Sequence, residues 1–360
     1  MKGKAMDVAE VSGTMEELHL DEVAEKLKML FYHDAPSLSE VIANALSGKN
    51  SDTLKQLASY VETTLFSSFG DFKRIFTAVL LLGLLSAIFS EMGKIFENRQ
   101  IADLGFYMIY LMMVIILLQV TEQGIDTTAQ ILCDISDFSG ILIPTYCLSV
   151  GLAGGSTTAV VFYEIALVMI FMVEKVLSTL LIPMIYAYVF LAAMNGIGTD
   201  GRLDGILNLM KKGICILIKA IVMVISCFGI LQAMITPVID SVRSTSVQKL
   251  VSVIPGIGNY INTATEVVYG SAVVIKNAVG VAGILLLVAL CIPPLVKLAV
   301  LTCALKFAGA IAGIVADKRM NRCVEQVSEG SEMLFRTASA GMALFVITIA
   351  IVAVTTNRGF

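Results

Sequence analysis

Apolar runs of nearly membrane-spanning length recur from Ile75 to the C-terminal end of this chain, and they constrain its fold more than any other feature. They fall at 75–92, 104–120, 140–154, 158–174, 177–195, 214–236, 278–304 and 338–356. A helix needs about 20 apolar residues to cross the hydrocarbon core of a bilayer. Inside that core the backbone must satisfy its own hydrogen bonds, which leaves helices or closed barrels. Composition agrees: 57% of the 360 residues are hydrophobic and 15% are charged, against about 25% charged in soluble domains. The expected fold is all-α, a polytopic helical membrane protein with about seven to eight transmembrane helices and a small helical N-terminal segment. Two runs leave the count open. Run 140–154 is short and ends in a glycine-rich stretch from Gly151 to Gly155, which also fits a re-entrant hairpin. Region 278–316 is broken by Pro293 and Pro294, and is expected to be one kinked span.

Residues 1–74 are of a different character and form the first expected domain, an acidic amphipathic helical segment. Leu20, Val23, Ala24, Leu27, Leu30 and Phe31 share one helical face, with Asp21, Glu22, Glu25 and Lys28 opposite. Ser37 with Glu40 has capping-box spacing for a second helix ended by Gly48. A third pattern, Leu54, Leu57, Ala58, Val61 and Leu65, leads into Phe69 and Phe72. Residues 75–360 form the expected membrane domain. Lys and Arg concentrate in cytoplasmic loops. An extracytoplasmic N-terminus puts Lys94, Arg99, Arg202, Lys211, Lys212, Lys318, Arg319, Arg322 and Arg336 inside. It leaves an acidic loop at 121–139, with Glu122, Asp126, Asp134 and Asp137, outside. Arg243, Lys249 and Lys276 run against this orientation. No apolar stretch follows Lys2 and Lys4 as a secretory leader requires, so none is expected in this sequence.

The inventory of reactive groups argues against catalysis. The two histidines, His19 and His33, lie in the N-terminal segment, and no zinc-protease, nucleophile-elbow or phosphate-loop motif occurs. The seven cysteines sit mostly in or beside apolar runs without a C-x-x-C pair, as small hydrophobes do. No metal site, cofactor or nucleic-acid partner is expected, the last because the net charge is −4. Glu164 is the chief intramembrane candidate, since an ionisable group there costs about 2.5–3.5 kcal/mol on insertion scales. It fits a contact in a substrate path, a hydrogen-bonded clamp between helices, or a position just outside a shorter span. Lys219 can snorkel from its helix end. Lys306 reads as interfacial and Lys297 is ambiguous. Gly151 with Gly155, and Gly309 with Gly313, have the small-xxx-small spacing that lets helices approach closely.

Residues 237–277 are too polar to cross a membrane cleanly and too apolar for a solvated loop. After the turn Pro255, Gly256 and Gly258, residues Ile261, Ala264, Val268, Ala272 and Ile275 fall within one arc. Asn259, Asn262, Thr263, Glu266, Gly270 and Asn277 fall within the other. This predicts an interfacial amphipathic helix closed by Lys276 and Asn277. Its polar arc suits a docking or rim surface, and a lipid-facing spacer is the alternative.

At this segment the sequence resembles the stage III sporulation protein AE family of endospore-forming bacteria. The resemblance rests on Ile254, Pro255 and Gly258, then Lys276, Asn277, Val279, Gly280 and Gly283, with Pro294 and Lys297 following and the short stretch Leu203–Lys212 preceding. It implies a multi-pass component of the channel complex between mother cell and forespore, in the mother-cell membrane around the forespore. The implied partners are ring-forming and other membrane subunits and a separate secretion-type ATPase, with the chain itself non-enzymatic. Members normally begin with a signal peptide, which implies an extracytoplasmic N-terminal segment. The alternative function is a stand-alone secondary transporter or permease using Glu164.

Overall fold

The computed structural model describes residues 50–95, 99–152, 157–197, 202–251 and 258–357, and among them it is all-helical. Helix α1 is Asn50–Ile95, α2 Arg99–Leu152, α3 Thr157–Val176, α4 Ile182–Asn195, α5 Asp204–Val251, α6 Gly258–Val315 and α7 Lys318–Asn357. A π-helical turn, Leu177–Leu181, joins α3 to α4 without a break. Pro183, which has no N–H to donate, follows it at the start of α4. At 1.5 Å per residue the 58 residues of α6 extend about 87 Å, far beyond a hydrocarbon core of about 30 Å.

These long courses correct several sequence expectations. Run 104–120, the acidic loop at 121–139 and run 140–152 form one helix, α2. The reason lies in the loop itself. Thr121, Gly124, Thr128, Ile131, Ile135, Phe138 and Leu142 recur at helical spacing and are buried, while Glu122, Asp126 and Asp137 occupy the exposed flank. A re-entrant hairpin is therefore absent through Leu152, and Gly155 lies outside the described residues. Runs 158–174 and 177–195 likewise form one helical course. The amphipathic helix begins at Gly258 as expected, but Lys276 and Asn277 do not close it; α6 continues through Pro293 and Pro294 to Val315 as a single kink-tolerant helix. Residues 237–251 belong to α5, so the 237–277 segment is the end of one helix and the start of the next rather than a separate element. Four stretches among the described residues are long and apolar enough to cross a membrane: Val61–Met92, Asp103–Leu142, Val168–Asn195 and Gly280–Ile314. These four are fewer than the seven to eight expected, and among the described residues runs 104–120 with 140–152 and 158–174 with 177–195 merge into continuous helices. The boundary drawn at residue 74 falls inside α1. The two helices expected before residue 49, with His19 and His33, lie outside the described residues.

α7 is the axis of the assembly, packed against α6, α2, α5 and α4. Tyr110 and Cys323 share one level of the bundle, and Phe138 meets Phe345 edge-on at 5.6 Å at another. α2 and α7 therefore run parallel. α4 runs antiparallel to α7, with Tyr188 beside Glu329 and Asn195 beside Gln326. α6 also runs antiparallel: Gly309 lies against Val324 and Gly313 against Asn321, so the second expected small-residue pair does mediate a close helix approach. Buried hydroxyls inside the assembly bond their own helices. Thr121, Thr128, Ser139, Thr302 and Thr337 each donate to the carbonyl four residues earlier, which satisfies them without a partner from another helix. Outer faces of α1 and α2 expose Leu81, Leu85, Ile88, Met108, Met112 and Ile115, the surface a bilayer would cover.

Candidate functional site

The first half of α7 carries the chemistry of this chain. Between Lys318 and Arg336 charged and amide side chains alternate with Met320, Cys323, Val324, Val327, Met333 and Leu334, which are buried. The 3.6-residue period turns several of the polar positions toward α4, α5 and α6, where Arg322, Gln326, Glu329 and Glu332 find partners, while Asn321 Oδ1 and Ser331 Oγ are buried without one.

Nearest the turn end, Asn195 closes α4 and is 3% exposed. Its Nδ2 donates to Asp204 Oδ1 at 2.6 Å and, more weakly, to Gln326 Oε1 at 3.4 Å. Its Oδ1 accepts the Leu203 N–H at 3.1 Å. Gln326 Nε2 donates to the same Asp204 oxygen at 3.0 Å, and Arg322 stands 3.8 Å from the other. Asp204 opens α5, where a carboxylate also complements the positive helix end. One amide thus clamps both sides of the α4–α5 connection onto α7. Tyr110 Oη adds a donation to Ala193 O at 2.5 Å from α2.

Two turns further along, Glu329 accepts from Tyr188 Oη at 2.7 Å and from Lys211 Nζ, joining α4, α5 and α7. Beyond it, Glu332 accepts Lys306 from α6 on one oxygen and Arg336 on the other. The Lys306 hydrogen bond is the main reason the Glu332 carboxyl lies below its ordinary range, against an opposing effect of burial. Burial pushes the Cys323 thiol up to about 11, with the Tyr110 hydroxyl opposing, so it behaves as a packed hydrophobe. On the α1 side, Ser90 donates to Asp317 Oδ2 at 3.2 Å, and the Arg319 guanidinium sits 4.1 Å from the centre of the Phe106 ring. Arg202, Lys211, Arg319 and Arg322, placed by charge on one side of the membrane, are thereby gathered toward one end of the bundle.

Most of the residues singled out from sequence fall outside the described side chains. Glu164 is on α3, and its side chain lies outside the described residues, as do those of Gly258, Glu266, Lys276 and Asn277 on α6. Pro255 and Gly256 lie outside them entirely. Gly280 is buried on α6, and Lys297 is exposed on it without an ion pair among the described residues. No group of three or more potential metal ligands occurs among the described residues. Sequence reasoning missed Asn195, Asp204, Gln326 and Glu329. A signal for the last two was present in the i, i+3, i+4 recurrence of polar residues through α7, read only as a basic loop.

The model of the family described as Stage III sporulation protein AE matches residues 36–356. The Stage III sporulation protein AE of Bacillus subtilis (strain 168) is 20% identical over 320 residues, covering 88% of this chain and 78% of that protein. No solved structure matches.

Proposed function

Because the chain belongs to the stage III sporulation protein AE family, we propose that it is a non-catalytic integral-membrane subunit of a trans-envelope, secretion-like channel complex in endospore formation. The carrying observation is the family match, which covers both the apolar helices and the charged half of α7. In this reading the complex serves transport between mother cell and forespore, and a separate secretion-type ATPase supplies the energy. The chain sits in the mother-cell membrane around the forespore, with its N-terminal segment extracytoplasmic.

The charged end of the bundle suits an assembly role. Asn195, Asp204 and Gln326 hold the end of α4 and the start of α5 against α7. Helix ends held in this way present a docking surface at little further cost in conformational entropy. The companion ring-forming and membrane subunits are the partners expected there. The test is co-purification of the full-length, tagged chain from sporulating cells in mild detergent. Recovery of the companion subunits, reduced by Arg322→Glu, is the expected result; a chain that never associates with them ends this reading. Orientation is tested separately by thiol labelling in cells. Cysteines placed at Gly205 or Lys318 are expected to resist an impermeant reagent added outside, and labelling there would reverse the topology.

A further inference from the structure

One side of the bundle at the level of Glu329 to Arg336 is unlike the rest. α5 and α6 both pack on α7 but make no extensive contact with each other among the described residues. They leave a groove whose floor is the α7 stripe Glu325, Glu329, Glu332, Arg336 and Ser339, at i, i+4, i+7, i+11 and i+14. Lys211 rises from the α5 wall and Lys306 from the α6 wall. The cations are the exposed partners, with side chains 40%, 49% and 50% accessible for Lys211, Lys306 and Arg336, whereas Glu329 and Glu332 are each 27% accessible beneath them.

Charge is unevenly placed along this groove. Its three carboxylates match Lys211, Lys306 and Arg336 in number, but Glu325 stands at one end, and at the other the single carboxylate of Glu332 is shared by two cations, so the Lys306–Glu332–Arg336 triad carries one positive charge in excess. Lys212 and Lys219 are exposed further along α5. The surroundings are apolar: Phe307 is 58% exposed and Ile216 67%. Arg336 also stands immediately before the apolar run 338–356, and Lys306 lies eight residues before the end of the span Gly280–Ile314, which sets both cations beside apolar helix surface. An excess charge bordered by apolar surface attracts an anion that carries its own hydrocarbon.

The structure assigns this groove as a binding site for the phosphate headgroup of an anionic phospholipid, held by Lys306 and Arg336 with Lys211 alongside, its acyl chains lying on the exposed apolar faces of α5 and α6. An isolated phosphate shares the head-group chemistry but not the chains. This assignment rests on membrane residence alone and stands or falls independently of the channel assembly.

The chain contains no tryptophan, so one introduced residue reports its own surroundings. Cys303→Trp places the reporter on an exposed position of α6 one turn from Lys306, and Met112→Trp places a control on the apolar face of α2. The full chain is reconstituted in phosphatidylcholine vesicles containing dibrominated phosphatidylglycerol or dibrominated phosphatidylcholine. Quenching at position 303 is expected to favour the glycerol lipid by roughly tenfold in relative binding, the order produced by two basic side chains near an anionic lipid. The control at 112 is expected to show no preference. Lys306→Gln with Arg336→Gln should abolish the preference at 303, and added salt should weaken it in the reporter chain that keeps both cations, a check that needs no charge-removing variant to fold. Equal quenching by the two lipids at 303, or an equal preference at 303 and 112, overturns the assignment. So does loss of the preference on adding inorganic phosphate or a polyglutamate peptide, which would identify a soluble anion or an acidic protein segment as the occupant.

Discussion

Replacing Asn195 by alanine should loosen the α4–α5 connection far more than its one side chain suggests. The amide makes a charge-assisted bond to Asp204 and accepts the Leu203 N–H, and it is almost wholly buried. A hydrogen bond to a charged group contributes about 1.5–3 kcal/mol and a neutral one about 1 kcal/mol. Loss of both amounts to roughly 2.5–4 kcal/mol, since the weak 3.4 Å contact to Gln326 adds little. Each ~1.4 kcal/mol is a factor of ten in an equilibrium. Local opening of the connection should therefore rise by roughly 10² to 10³. Arg202 lies in that connection and is exposed, which makes it a tryptic reporter. Cleavage after Arg202 is measured in detergent at low protease, where the rate follows the opening equilibrium. Asp204→Ala alone and with Asn195→Ala completes a double-mutant cycle, with an expected coupling near the charge-assisted share of the loss. A cleavage rate in Asn195→Ala within about threefold of the parent, well under 1 kcal/mol, would refute the clamp.

Other consequences follow from packing, ionisation and the proposed role. A Cβ at Gly330 would overlap Val189 on α4, so Gly330→Ala should lower thermal stability by about 1–3 kcal/mol. Gly213→Ala, with nothing within 4 Å, should raise it by about 0.4–1 kcal/mol; the same sign at both sites would contradict the close α4–α7 approach. Because the Glu332 carboxyl is held below its ordinary value of 4.5, its ion pairs should stabilise the fold fully above that pH. Their contribution should fade as pH drops through the lowered folded value. Melting of the parent and of Glu332→Gln should therefore converge at acid pH, and a gap that widens there would reverse the sign. Glu164→Gln should leave spore formation unchanged at normal protein level, as expected of an assembly subunit; loss of spores would favour the permease reading instead.

Sequence alone determined that this chain is helical and membrane-embedded, because apolar runs of spanning length leave the backbone few ways to satisfy itself. It also found where α6 begins, from Pro255 and Gly258, and the tight Gly309–Gly313 approach, since glycine at that spacing acts locally. What it misjudged was continuity. Acidic residues at 122–137 look like a loop in a hydropathy reading, yet Gly124, Thr128 and Ile131 keep a buried helical stripe through them. Burial against α6 and α7 outweighs the polarity of the exposed flank, and that outcome depends on neighbours no single segment reveals. The same holds for α7. Its charges read as a cytoplasmic basic loop, but the tertiary structure makes it the packed axis. Gln326 and Glu329 find partners from helices distant in sequence, and Glu332 one from the preceding helix. Those pairings exist only once α4, α5 and α6 are brought alongside it, and so the charged site was decided by the assembly of helices.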